Sequence, residues 1–137
     1  MCGAVRLTIR DCPTRFGACH CEMCRRWTGS AFLAISVPAT AVTVDGAANV
    51  AHIQSSDWAE RAWCGKCGSN LWYRLTYDGA PDTMELSLGL LDDAGGLRFD
   101  TEIFIDCKPD SFAFEGTVGR ETMTRAEFLA KYMPEGA

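Results

Sequence analysis

Cys19, Cys21 and Cys24 stand in a C-x-C-x-x-C cluster, and a C-x-x-C pair, Cys64 and Cys67, follows about forty residues later. Thiols this close in sequence do not readily pair with one another, because a disulfide demands particular separations and directions of its Cα and Cβ atoms. They converge readily on one tetrahedral metal, and thiolate-rich tetrahedral sites favour zinc. Cys2 raises the expected ligand set to six, in two groups of three, and three protein thiolates leave a fourth position open.

The length of 137 residues suits one domain, spanning 1–137, with a real hydrophobic core. Met1-Cys2-Gly3-Ala4-Val5-Arg6 lacks the basic-then-apolar layout of a signal peptide. The longest apolar-leaning run, Ala31 to Val42, carries Ser36, Pro38 and Thr40 and is too short to span a bilayer. Eight cysteines in a secreted chain would suggest disulfides, but no secretion signal accompanies them, so a cytoplasmic, reducing setting with metal-bound thiolates is expected. The formal charge of -5 becomes more negative when six thiolates bind two Zn²⁺ ions. Nucleic acid and anionic membranes need a cationic surface and are not expected partners.

The dominant hydrophobic period is two. Val5, Leu7 and Ile9 alternate with Arg6, Thr8 and Arg10; Leu71, Tyr73, Leu75 and Tyr77 with Trp72, Arg74 and Thr76; Met84, Leu86, Leu88 and Leu90 with Glu85, Ser87 and Gly89. Asp78-Gly79-Ala80-Pro81-Asp82 reads as a hairpin loop, and Asp92-Asp93-Ala94-Gly95-Gly96 as a turn leading to a strand around Ile103 to Asp106. Phe32 to Val37 and Val50 to Ile53 are further strand candidates. The pattern predicts a mostly β fold of antiparallel strands with little helix. One short helix is expected over 22–28, stopped at Gly29, and a second over 124–132, where Thr124 and Glu127 have capping-box spacing and Pro134 follows.

Cys64-Gly65-Lys66-Cys67-Gly68 has the form of a zinc knuckle, in which Gly65 and Gly68 allow positive φ and direct amides toward the sulfurs. Cys2, beside Gly3, is the natural further ligand. A redox C-x-x-C would want a βαβ context, which this chain does not offer. The Cys19, Cys21, Cys24 group supplies three ligands from six residues, and an open fourth position is the mark of catalytic zinc. Three thiolates make a metal centre poor at activating water and better suited to capturing an incoming thiol as thiolate. The alternative is a closed site completed by His20, His52, Cys12 or Cys107. Arg25 and Arg26 follow the third ligand and can hold the carboxylates of a small acidic thiol, or else offset the thiolate charge and cap the helix. Trp27 and Phe32 suit apolar walls or core, and Asp92-Asp93 beside Gly95-Gly96 suits a turn.

The residues so far resemble those of the glutathione-dependent formaldehyde-activating (centromere protein V) family. The matching stretches are Cys2-Gly3-Ala4-Val5-Arg6, Cys19-His20-Cys21-Glu22-Met23-Cys24-Arg25-Arg26-Trp27-Thr28-Gly29-Ser30 and Cys64-Gly65-Lys66-Cys67-Gly68-Ser69. Leu75, Gly89-Leu90-Leu91-Asp92-Asp93, Ile103-Phe104-Ile105-Asp106 and Lys108-Pro109 extend the similarity over most of residues 2 to 115. The resemblance implies a β-tent fold of antiparallel sheets organised around zinc. It implies a structural site holding Cys2, Cys64 and Cys67, and a catalytic zinc held by Cys19, Cys21 and Cys24; two zinc sites are expected, and the sequence does not fix how fully the second is occupied. The family's named activity joins formaldehyde to glutathione, formally a carbon–sulfur lyase read in reverse. The first cysteine of the family's N-terminal pair has no counterpart, so water, the Met1 amine or a preceding residue is expected as fourth ligand. Glu102 and Ser111 stand where many members carry histidine and tryptophan.

The expected function is that of a zinc-dependent carbon–sulfur lyase acting on a glutathione-type thiol adduct, with Arg25 or Arg26 anchoring the substrate. A non-catalytic, zinc-stabilised protein-interaction module is the alternative. A small β domain of this kind can also pair as a homodimer through an exposed sheet edge.

Overall fold

A computed structural model describes residues 1–116 and 119–133. In chain order the strands and helices begin with β1 (Arg6–Ile9), β2 (Arg15–Cys19), α1 (Glu22–Thr28), β3 (Phe32–Pro38), β4 (Val42–Asp45) and β5 (Val50–Ser56). They continue with β6 (Ala59–Cys64), β7 (Asn70–Leu75), β8 (Thr83–Ser87), β9 (Arg98–Ile103), β10 (Glu121–Met123) and α2 (Arg125–Tyr132). The fold is thus mostly β with two short helices, and both helices occupy the segments their sequence patterns predict. Pro134 lies outside the described residues. No described helix is long and apolar enough to cross a membrane.

The chain divides into two compact units, Met1–Pro13 with Ile35–Ala94, and Thr14–Ala34 with the segment from Gly95 onward. In the first unit β5, β6, β7 and β8 form an antiparallel meander, and β1 pairs antiparallel with β4, Leu7 opposite Val44 and Ile9 opposite Val42. Ile35, Val37, Ala59, Ala62, Leu71, Met84 and Leu86 are buried there. The alternation read along residues 71–77 is not clean. Trp72 lies opposite both Ala62 and Leu86, and Tyr73 opposite both Arg61 and Glu85. Large side chains on either face of β7 thus meet cross-strand partners on both sides. The apolar run after Leu86 also leaves the strand, because Leu88–Leu90 closes into a 3₁₀ turn.

The second unit corrects the all-antiparallel expectation. β2 pairs antiparallel with β3, Ala18 opposite Leu33, but β9 runs parallel to β2 and β10 parallel to β9. Parallel neighbours need long crossover connections, so hairpin signals in the sequence are silent about them. The strand expected at Ile103 to Asp106 lies earlier, at Arg98–Ile103. Phe104 stops it by adopting the left-handed conformation at φ 56°, and a 3₁₀ turn over Ile105–Cys107 follows. The Phe104 ring packs on Phe128 of α2 at a centroid distance of 5.1 Å, a contact that offsets part of the cost of a bulky residue at positive φ. The capping box of α2 is complete: Thr124 accepts from the Glu127 amide, and the Glu127 carboxylate accepts from the Thr124 amide.

Candidate metal centres

The first cysteine group lies within the first unit. β6 ends at Cys64, whose amide donates to the Ser69 carbonyl at 2.9 Å; the Gly68 amide closes the turn onto the Cys64 carbonyl at 2.8 Å. Gly68 has φ +77°, as expected of the knuckle, but Gly65 does not adopt positive φ. Gly65 instead donates its amide to the Asn49 carbonyl at 2.8 Å, and a Cβ there would stand 3.2 Å from that oxygen. Close backbone approach is what requires the glycine, and both knuckle amides are spent on carbonyl oxygens, not on sulfur. Cys2 arrives from the N-terminal segment, which is held where the Asn49 side chain donates to the Ala4 carbonyl at 3.1 Å. Gly46, at φ +75°, clears that path: a Cβ there would fall 2.0 Å from the Ala4 oxygen.

The Sγ atoms of Cys2, Cys64 and Cys67 all lie within 4.8 Å of one another, with Cys2 and Cys64 at 3.7 Å. That is the edge of a sulfur tetrahedron, about 3.8 Å for a metal–sulfur bond of about 2.3 Å. No disulfide joins any of the eight cysteines. The Ser69 hydroxyl, 3.3 Å from Cys67 Sγ, and the Ser69 amide bring the Cys67 thiol down to about 5, with Cys2 adding to the effect. Cys67 is accordingly a thiolate at neutral pH. Cys2 moves the other way: the Ala4 amide favours its thiolate, but the bonds it shares with Cys67 and Cys64 outweigh this and raise it. A thiol shared among sulfurs in this manner is what a soft cation replaces.

The second group lies within the second unit. Cys19 is the last residue of β2, and Cys21 caps α1, its sulfur accepting from the Cys24 amide at 3.4 Å. Cys24 is buried in the first turn. One strand end and one helix start thus bring three sulfurs within 4.8 Å of one another. Bonds shared with Cys21 and Cys24, followed by burial, push the Cys19 thiol well above its ordinary range. Both donor sets fit a thiophilic metal, so two cysteine clusters of this protein can hold metal ions. Among the described residues neither His20, His52, Cys12 nor Cys107 joins either group.

His20, between two of these cysteines, is wholly buried and bonded elsewhere. Its amide donates to the Ile103 carbonyl at 3.0 Å, and its Nε2 lies 2.7 Å from Glu102 Oε1. Arg120 Nη1 donates to Glu102 Oε2 at 2.8 Å, while its Nη2 reaches the carbonyls of Glu115 and Gly116 at 2.7 and 3.0 Å. The Arg120 guanidinium lies 3.7 Å from the centre of the Phe99 ring. Burial works against the Glu102 carboxylate, but the bonds from Arg120 and His20 outweigh it and hold it below the usual range. Sequence reasoning missed this chain of contacts, whose one signal was a glutamate where histidine was expected.

Arg25 and Arg26 sit in the last turn of α1, where their charge also suits the helix dipole. With Gly29, Ser30, Pro109 and Phe112 they line an open cleft of about 350 Å³. Arg25 is oriented by its Nε, which donates to the His20 carbonyl at 3.0 Å; Arg26 is exposed. Trp27 packs on Phe32 at 5.2 Å and so belongs to packing and not to the cleft wall. Cys107 lies 3.4 Å from Arg125 Nη2, which also pairs with Glu22.

A family model described as "Glutathione-dependent formaldehyde-activating enzyme" matches residues 1–107. A Schizosaccharomyces pombe protein described as an uncharacterized lyase is 32% identical over 114 residues, covering 83% of this chain and 81% of the relative. A crystal structure of a Rhodobacter sphaeroides protein superposes with a TM-score of 0.57 at 19% identity, over 90% of this chain and 94% of the other. That last likeness concerns the fold alone.

Proposed function

Since the chain belongs to the glutathione-dependent formaldehyde-activating family, we propose that it is a zinc-dependent carbon–sulfur lyase acting on a glutathione-type thiol adduct. In the lyase direction the carbon–sulfur bond of a hydroxymethyl thioether breaks. The hydroxyl proton passes to sulfur, and a carbonyl compound and a free thiol leave; the reverse direction joins them. The observation that carries this reading is the three-sulfur cluster of Cys19, Cys21 and Cys24, joined by no fourth described ligand. Cys19, Cys21 and Cys24 would hold a zinc ion that favours the thiolate form of an incoming thiol.

The chain's own residues bind and orient. Arg25, fixed through its Nε, and the exposed Arg26 present guanidinium groups in a cleft of about 350 Å³, enough for a small peptide thiol. Bidentate pairing with substrate carboxylates is the contact such groups favour. Phe112 and Pro109 provide an apolar side to the same cleft. Cys2, Cys64 and Cys67 would hold a zinc at the first cluster in a structural role, tying the N-terminal segment to the β6–β7 turn.

Cobalt substitution makes the site visible. Glutathione added to the cobalt-loaded protein is expected to shift the d–d and sulfur charge-transfer bands, and Cys21→Ser to abolish that response. Arg26→Ala should weaken the glutathione titration by about tenfold, the value of one charge-assisted bond. Unchanged bands in the fully loaded wild type would show a closed centre and favour the interaction-module reading.

A further inference from the structure

Between Cys19 and Cys21 sits a residue outside the three-sulfur group that touches several parts of the site. His20 is fully buried, and its backbone and side chain both bond to β9, through the Ile103 carbonyl and the Glu102 carboxylate. Its carbonyl accepts Arg25 Nε at 3.0 Å, and its ring lies 6.1 Å from that of Phe112; both partners line the cleft. The position of this one side chain therefore bears on the Cys19–Cys21 turn, on the cleft's guanidinium and on its aromatic wall. What holds it is a carboxylate with both oxygens engaged, one by His20 and one by Arg120. Arg120 is itself tied at three further points, the Glu115 and Gly116 carbonyls and the face of Phe99. Glu102 and Arg120 are 4% and 8% exposed, so neither is a solvated surface pair.

We propose that Glu102 and Arg120 are positioning residues that, by fixing the buried His20 side chain, set both the metal affinity of the Cys19, Cys21, Cys24 cluster and the placement of Arg25 in the cleft, a role that rests on reading that cluster as a metal site. The cysteines on either side of His20 cannot move independently of it, because only two peptide units separate Cys19 from Cys21. Residues behind the ligands orient them, and their loss typically costs such sites about 10- to 100-fold in metal affinity. A carboxylate suits this role because it accepts from two donors at once, whereas an amide at the same position presents a donor to one of them.

The test is a cobalt titration of the full chain against a competing chelator, following the thiolate charge-transfer bands. Cys21→Ser identifies the bands of the second cluster, and the bands that remain report the Cys2, Cys64, Cys67 cluster as an internal control. Glu102→Gln is expected to weaken cobalt at the second cluster by about 10- to 100-fold while the first cluster keeps wild-type affinity. The glutathione concentration that half-shifts the remaining second-cluster bands should also rise. If Glu102→Gln loses the first-cluster bands as well, Arg120→Lys carries the same comparison, since it keeps the charge and gives up the fork. Wild-type affinity and band positions at the second cluster, with only a lower melting temperature, would overturn the proposal. Identical cobalt spectra for wild type and Cys21→Ser would overturn the metal reading beneath it.

Discussion

Replacing Gly46 by alanine should weaken metal binding at the Cys2, Cys64, Cys67 cluster, although Gly46 is not among its sulfurs. At Gly46 a Cβ would lie 2.0 Å from the Ala4 carbonyl oxygen and 3.1 Å from its carbon. Carbon–oxygen contacts settle at about 3.3 Å or more, so the Ala4 carbonyl must retreat by more than ~1 Å. Cys2 stands two residues away, and coordination tolerates errors of only about 0.2 Å in ligand distance. The Ala4 oxygen is also the acceptor for the Asn49 side chain, so the displacement breaks that anchor. An alanine at φ +75° adds backbone strain of about 1–2 kcal/mol. Gly79 provides the control: it has φ +81°, but a Cβ there would meet nothing within 4 Å, so Gly79→Ala carries the strain without the clash. Cobalt titration should show Gly79→Ala with both centres intact and Gly46→Ala with the Cys2, Cys64, Cys67 centre weakened by about 100-fold or more, beyond the usual loss of an outer-shell contact. Thermal melts in chelator should place the two variants apart as well, with Gly79→Ala lower than wild type by roughly 3–8 °C. Equal metal affinities for Gly46→Ala and Gly79→Ala would refute the reasoning, since φ strain alone would then account for both.

Alkylation of the metal-stripped protein should be selective and depend on pH in a fixed sense. With its thiol titrating at about 5, Cys67 is ionised at neutral pH and keeps reacting as the pH falls toward that value; Cys19, raised well above its ordinary range, does not react there. Iodoacetamide labelling read by mass spectrometry at pH 6–7 should find Cys67 modified ahead of Cys19, and added zinc should protect it; preferential labelling of Cys19 would contradict the assignment. Thr124→Ala removes one half of the α2 capping box and should lower stability by about 1 kcal/mol, measured by denaturant unfolding, while leaving cobalt binding at both clusters unchanged.

Features whose physics is local were written in the chain. The C-x-C-x-x-C and C-x-x-C spacings bring sulfurs together at one helix start and in one tight turn, although the strand that delivers Cys19 was not legible. The capping box at Thr124 and Glu127 and the left-handed stop at Gly29 define both helices from within a few residues of their ends. Alternation located β1, β7 and β8 in the same way, since side-chain period two is a property of a single strand. β6 escaped notice because Ala59 and Ala62 are small and Arg61 is a buried charge, so no apolar period stands out.

Contacts between distant segments were decided only by the tertiary structure. The parallel pairing of β2 with β9, and of β9 with β10, joins segments whose connection leaves no turn signature. The left-handed Phe104 is stabilised by a ring 24 positions away, against its own backbone preference. Cys2 was named by the sequence as a companion of Cys64 and Cys67, but its 3.7 Å approach depends on Gly46 and Asn49 clearing and holding its path. Most of all, His20 reaches Glu102 across 82 positions and Glu102 reaches Arg120 across 18. A buried carboxylate is stable only where donors are brought to it, and here they come from segments far apart in the chain, which no local pattern encodes.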